Sequence, residues 1–407
     1  MKGVHNHIGD AAHVKALKMQ NVVHDRAINS QEAPQYIISN ALVGLSQAAA
    51  GHIVKTDSIK KMIRNIRIRK QAAPALPMTR QEIVFPEEYK ITKEGEPFLL
   101  FDSGPTEDRI LIFSTARNLR LLASSENWFG DGTFKTVPHL FYQLYTLHGI
   151  QVNSSIPLLY ALLPGKTEVT YVRLLQQVKQ LQPDASPETI MTDFEPAIVS
   201  AIRQEFPRAR HRGCFFHFSQ CIFRRIQAEG LQRRYETDVE FAMKMQLLSA
   251  LAFVPTEDVV EAFEVLSGDN MPEEAQGMID YFEDCWIGRP QRRMGRRMPR
   301  FSLEMWNCHE GVRHRLPNTN NSIEGWHRGF EMQKKAQHSN IWKFIEVIQH
   351  EQSIRTLQIE QYVSGQQGTP ARKKYRDCAE RLFRVVTNYD INNFLEFLRG
   401  VAHNIND

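Results

Sequence analysis

The sequence predicts a mixed α/β fold, interrupted by an all-helical insertion and flanked by helical regions at both ends of the chain. Two observations carry that expectation. Between residues 97 and 230, short apolar runs bounded by turn residues alternate with stretches of helical spacing, the order that builds mixed α/β layers. Residues 231–310 break this order and show helical spacing alone. At 407 residues the chain is longer than one ordinary domain of roughly 100 to 200 residues, so more than one unit is expected.

Residues 1–75 read as a helical N-terminal region. "YIISNALVGLS" and "IKKMIRNIRIRK" both carry apolar residues three and four apart, and the second sets Lys60, Lys61, Arg64, Arg67, Arg69 and Lys70 around a stripe of Ile59, Met62, Ile63 and Ile66. Residues 76–96 read as an extended linker, because their prolines stop helices and bias their neighbours to extended backbone. The first part of the α/β core, 97–230, opens with "RILIFST". "WFGDGTFK", "FYQLYTLHGI" and "IPLLYALLP" then predict an antiparallel three-strand meander. "EVTYVRLLQQVKQL" has helical spacing, "TIMTDF" is a short buried strand ending in an acid, and "EPAIVSAIRQEF" is a helix. "ARHRGCFFHF" is a strand running into the helix "SQCIFRRIQ". After the insertion, residues 311–362 return to the core with two helices, "NTNNSIEGWHRGFEMQ" and "NIWKFIEVIQHEQSIRTLQIEQY", and 363–407 form a C-terminal helical region.

Composition narrows the class. The net charge is only +4, but the basic residues cluster, as in "GRPQRRMGRRMPR", where six arginines fall in thirteen residues with no acid in the same stretch. Five scattered cysteines do not make a disulfide framework, no apolar stretch approaches the ~20 residues of a membrane span, and the first residues lack a signal-peptide core. A soluble, intracellular protein is expected.

Three acids invite a chemical reading. Asp131 sits between two glycines on or just after the strand "WFGDGTF", Asp193 ends the strand "TIMT", and Glu324 lies in the first turn of a predicted helix. A lone acid in a turn is ordinarily a capping or solvated residue. Two strand-end carboxylates converging in one sheet are different: at ~4 Å they repel by about 4 kcal/mol at an effective dielectric near 20. A divalent cation removes that penalty, and oxygen-only ligands suit Mg²⁺ or Mn²⁺.

"WFGDGTFKT", "IMTDFEPAI", "GCFFHFSQ" and "NTNNSIEGWHRGF", in that order, resemble the Mutator-like element (MULE) transposases over roughly residues 97 to 360. The resemblance implies a ribonuclease H-like mixed sheet interrupted by a helical insertion. It gives Asp131, Asp193 and Glu324 the roles of the DDE catalytic and metal-binding acids, with Mg²⁺ (or Mn²⁺) as cofactor. The 131-position separation of Asp193 and Glu324 matches the insertion such transposases carry. The implied activity is metal-dependent DNA cleavage and strand transfer in the nucleus, on terminal inverted repeats and target DNA, by a homo-oligomer on DNA.

Around these acids, the pair Cys214 and His217 in C-x-x-H spacing, and His327, three residues after Glu324, are expected to support the active site. A structural zinc needs four ligands, and Cys221 and His211 complete no familiar spacing. Lys135, Arg289, Arg292, Arg293, Arg296, Arg297 and Arg300, with Lys60, Lys61, Arg64 and Arg67, are the expected phosphate contacts. Trp286 and Trp306 are candidates to stack on an unpaired base. "HNH" at His5 to His7 resembles the trailing H-x-H of a FLYWCH zinc finger without its upstream cysteine pair, so a truncated finger and no complete zinc site are expected. The rivals are a domesticated transposase that binds or regulates DNA without catalysis, and a ribonuclease H-like nuclease acting on RNA.

Overall fold

The computed structural model describes residues 10–30, 32–70, 74–134, 137–151, 154–268, 270–292, 295–316, 319, 323, 325–327, 329–330, 340–367 and 373–405. Two units are compact in themselves, Met1–Ala75 and Leu76–Asp407. In the first, α1 (Ala11–Asn29), α2 (Pro34–Ala41), α3 (Gln47–Ala50) and α4 (Thr56–Lys70) close on a small core that includes Met19, Val23, Ile37, Ile38, Ile59 and Ile63. Asp10 starts α1 by accepting the N–H groups of Ala12 and His13 at 2.9 and 3.1 Å. On α4 the predicted stripe turns inward at Ile59 and Ile63, while Lys61 and Arg64 face solvent and Lys60 lies 3.5 Å from Asp57. The side chain of Arg67, and His5 to His7, lie outside the described residues.

The second unit is mixed α/β. β1 (Leu99–Asp102) and β2 (Leu111–Phe113) precede α5 (Ala116–Ala123). β3 (Asn127–Thr133), β4 (Gln143–Gln151) and β5 (Ser154–Leu163) then make the antiparallel meander read from their apolar runs. α6 (Glu168–Leu181) leads to β6 (Thr189–Thr192), α7 (Pro196–Glu205) to β7 (Arg210–Gly213), and α8 (Phe215–Ala228) follows. In space the seven strands run β1-β2-β5-β4-β3-β6-β7, with β6 and β7 parallel to β3. β5 lies mid-sheet and is buried along nearly all of its length, which is why its sequence is a continuous apolar run rather than an alternating one.

Residues 231–310 contribute α9 (Gln232–Thr237), α10 (Val239–Ala250), α11 (Val259–Ser267), α12 (Gln276–Phe282), a π turn at Glu283–Ile287 and α13 (Leu303–Trp306). α14 (His309–Arg313) follows at their end. α15 (Ile341–Val363), α16 (Lys373–Thr387) and α17 (Phe394–Ile405) complete the chain. No described helix is long and apolar enough to cross a membrane.

Three larger cores hold the described residues of this unit. On one face of the sheet, Leu119 and Leu122 of α5, Leu174 and Val178 of α6, and Ile198 and Ile202 of α7 pack on Trp128, Leu147 and Ile190. On the other, Trp342, Phe344, Ile345 and Ile348 of α15 pack on Phe113, Leu144, Tyr160 and Leu162. The third core joins α8 to the inserted helices and to α16 and α17, so the C-terminal helices close the hydrophobic face that the insertion leaves open.

Two expectations change here. Residues 76–96 are not a loose linker: Ile83, Phe85 and Tyr89 are buried beside Trp342, and Arg109 donates to the carbonyls of Arg80 and Ile83 at 2.7 and 2.9 Å while pairing with Asp102 at 2.6 Å. The prolines there make the backbone extended, but its apolar side chains still find the core. Trp286 and Trp306 are fully buried, stacked on Phe301 and Phe218 respectively, and so are core residues rather than exposed platforms for a base.

Candidate active site

β3 and β6 run parallel with Asn127 opposite Thr189, Trp128 opposite Ile190 and Phe129 opposite Met191, a constant offset of 62 positions. The same offset carried past the last pair matches Asp131 with Asp193, since 131 + 62 = 193. Asp131 thus lies within β3, two positions past its last pair with β6, and Asp193 directly follows β6. In-register residues of a parallel pair share a face, and the residues two positions earlier, Phe129 and Met191, do pack together with Cys214 and Ile323.

The glycines around Asp131 have a steric cause. A Cβ on Gly130 would stand 2.3 Å from Tyr145 Oη, and one on Gly132 would stand 2.5 Å from Gln143 Oε1. Both side chains come from β4 and lie across β3, so only glycine lets the strand pass beneath them on the face opposite Asp131. Asp131 Oδ1 accepts the Gly132 N–H at 2.9 Å, and Oδ2 lies 3.2 Å from His327 Nε2. Burial pushes the Asp193 carboxyl above the usual carboxylate range; His217 opposes the shift, and the Asp131 carboxylate adds to it.

His327 belongs to a helical stretch held from both sides. Trp326 Nε1 donates to the buried Glu351 at 2.5 Å, Glu351 also accepts from Arg355 at 2.6 Å, and the Trp326 ring stacks on Phe330 and meets His148 edge-on. Ile323, at the start of the same stretch, is fully buried against Phe129, Met191 and Cys214. Glu324 lies outside the described residues, as do Lys135 and Arg293.

Several residues at this site carried no sequence expectation. Glu195, two residues after Asp193, has its carboxyl raised by burial and by Asp193, against the pull of Lys166 and a hydrogen bond from Tyr171. Tyr145 is buried against Tyr171; burial above all holds its phenol well above the ordinary range, and the charges of Asp193, Asp131 and Glu195 add to it. Phe194 is clamped by Phe218, Trp286 and Phe301, so the inserted helices anchor the residue that follows Asp193. The motif "DFE" contains the one signal that pointed to Glu195: a second acid within the same strand-end turn.

The donor set fits a hard divalent cation. Two carboxylates approach with like charge, and among the described residues no arginine or lysine forms an ion pair with either. Hard oxygen donors of this kind suit Mg²⁺ or Mn²⁺. Among the described residues no group of three or more histidine, cysteine, aspartate or glutamate side chains is gathered for a metal, so Asp131 and Asp193 supply a pair and not a complete cage. Cys214 is fully buried as a small apolar residue, while His217, one turn along α8, faces Asp193 electrostatically.

The arginine cluster divides in two. Arg289 pairs with Asp284 at 2.5 and 2.9 Å, and Arg296, largely buried, pairs with Glu283 at 2.7 Å and Glu264 at 2.6 Å. The loop has no acid of its own, as its sequence shows, but α11 and the π turn supply partners for these two. Arg292 and Arg300 are exposed, and Arg297, 62 % exposed, is 4.0 Å from Asp284.

The fold and site define a mixed α/β protein with paired acids at adjacent parallel strand ends. Residues 127–221, about a quarter of the chain running from β3 into α8, match the family model of the MULE transposase domain. The matched segment contains Asp131, Asp193, Cys214 and His217. No curated protein matches the chain.

Proposed function

We propose that this chain is a DDE transposase of the MULE type, with a ribonuclease H-like core that cleaves DNA and transfers the freed strand. One observation supports the reading: the parallel strands β3 and β6 carry Asp131 and, just after β6, Asp193 close enough for one carboxylate to act on the other, inside the segment similar to the MULE transposase domain. The three-strand meander extended by two parallel strands supports the ribonuclease H-like assignment. Glu324 is the third acid of the proposal, supported by its chain neighbours: Ile323 packs with Phe129 and Met191, each two residues before one of the acids, and His327 reaches Asp131.

In this reading Asp131, Asp193 and Glu324 hold Mg²⁺ or Mn²⁺, which when bound supplies an activated water and stabilises the leaving oxygen of a phosphodiester. The chain's own residues do the rest. His327 orients Asp131, Tyr145 and Phe194 exclude water beneath the acids, and Arg292, Arg297 and Arg300 with the basic side of α4 draw in the DNA backbone in the nucleus.

The test is nicking of labelled DNA carrying the element's terminal repeats, in Mg²⁺ or Mn²⁺, beside a binding assay. Glu324→Ala should bind DNA as wild type does and lose nicking by more than the ~10- to 100-fold that an outer-shell change costs. A Glu324→Ala protein that cuts at the wild-type rate contradicts the assignment. Wild-type protein that binds these repeats and never cuts them is a domesticated DNA-binding protein instead.

A further inference from the structure

Two large rings stand in solvent at the end of the meander where Asp131 lies. Phe134 directly follows β3 and Tyr142 directly precedes β4; each is 46 % exposed, and their ring centres lie 5.3 Å apart, edge to face. The backbone that presents them is anchored. Thr133, Phe141 and Gln143 beside them are buried, the Tyr142 N–H donates to the Leu163 carbonyl at 2.9 Å, and Gln143 Nε2 donates to the Gly165 carbonyl at 3.0 Å. Lys166, the next residue, holds its ammonium 5.8 Å from the centre of the Phe134 ring and acts on both Asp193 and Glu195. Apolar ring faces, a cation and the acid pair therefore share one rim.

Single exposed aromatic residues are ordinary. An anchored pair beside a cation, next to carboxylates that suit a divalent ion, matches a ligand with both a flat π face and a negative charge close to it. A free phosphate lacks the first and an apolar peptide lacks the second; a nucleotide has both.

We propose that Phe134 and Tyr142 form a stacking platform for an unpaired base of single-stranded DNA, with Lys166 engaging the phosphate of the same nucleotide. The proposal rests on the DNA-cleaving reading above and adds to it the state of the strand at the site: one base is out of the duplex while the neighbouring phosphate meets the acids. Every base has a π face, so the platform selects for unpairing and not for sequence.

The test uses the full chain in EDTA, so that nothing is cut, with two probes: a mixed-sequence single strand containing 2-aminopurine and the same sequence as a duplex. Wild-type protein should quench the 2-aminopurine on the single strand. Phe134→Ala should abolish the quenching and weaken single-strand binding on the order of tenfold, while duplex binding changes by about twofold or less. Phe134→Trp should retain both signals, which excludes misfolding as the cause. Lys166→Gln should flatten the single-strand salt slope by about 0.7. The platform is refuted if Phe134→Ala and Tyr142→Ala quench and bind as wild type does. It is also refuted if the double variant binds DNA normally and instead converts a self-associated protein to a monomer in sedimentation. Wild-type protein that binds neither probe would sink the DNA reading itself, whereas binding that ignores the rings sinks only the platform.

Discussion

The strand ends of β3 and β6 and the arginine loop at 288–300 handle charge in opposite ways. In the loop, two cations are matched: Arg289 meets Asp284, and Arg296 is held between Glu283 and Glu264. At the strand ends, burial and the Asp131 carboxylate raise the cost of ionising Asp193, against the pull of His217 and Lys166, while His327 lies 3.2 Å from Asp131. Charge that the fold neutralises internally is architecture. Like charge gathered in a buried place costs stability, which marks it as a candidate functional site.

His327 gives the sharpest way to break this contrast. If it orients Asp131 for a bound cation, His327→Ala should lower nicking by about 10- to 100-fold, as loss of an outer-shell partner does, with DNA binding intact. A purely packing role would instead appear as a lower melting temperature with unchanged cutting in the folded fraction.

Gly130→Ala probes the backbone that carries Asp131. The new methyl must displace the buried Tyr145 ring, at a cost of about 1 to 3 kcal/mol in urea denaturation. Gly165→Ala, with no atom within 4 Å of its Cβ, should be nearly neutral and serves as the control.

The two halves of the arginine cluster should separate in a salt titration of DNA binding. Neutralising Arg292, Arg297 and Arg300 is expected to flatten the slope by up to about 0.9 for each lost contact, whereas Arg296→Gln should leave the slope unchanged and cost ~1 kcal/mol of stability. Equal slopes for both sets of variants would erase the distinction between tightly paired and exposed cations.

Much of this contrast was legible in the chain, and the parts that were not share a cause. The meander was readable because its runs are long and rich in aromatic and branched residues, and Asp131 and Asp193 stood out because each ends or interrupts an apolar run. β1 has four residues and no alternation, and it escaped notice. The acids that pair with Arg296 lie 13 and 32 positions upstream, so no local window joins them. Phe194 looked like any strand-end apolar residue until three rings of other elements closed on it. The glycines of "GDG" were visible on either side of Asp131, but only the β3–β4 pairing shows that Tyr145 and Gln143 require them. Local pattern discloses elements and their chemistry; which charges are left unbalanced is a property of the packed molecule.

The central claim, that Asp131 and Asp193 are held together for a divalent cation, is tested most directly by thermal melting of wild type and Asp193→Asn with and without Mg²⁺. The folded-state pKa of Asp193 lies above its ordinary value of 3.8, so the stability tied to this group is fully present below that value and is lost as pH rises through the folded pKa. Asp193→Asn removes that loss, so in EDTA at neutral pH it should melt above wild type, and the gap should close as the pH falls toward 4. Added Mg²⁺ should then stabilise wild type, by about 2.7 kcal/mol at a hundred times its dissociation constant, and leave Asp193→Asn essentially unmoved. A wild-type melting temperature indifferent to Mg²⁺ and Mn²⁺, or an equal rise in the variant, would contradict the account.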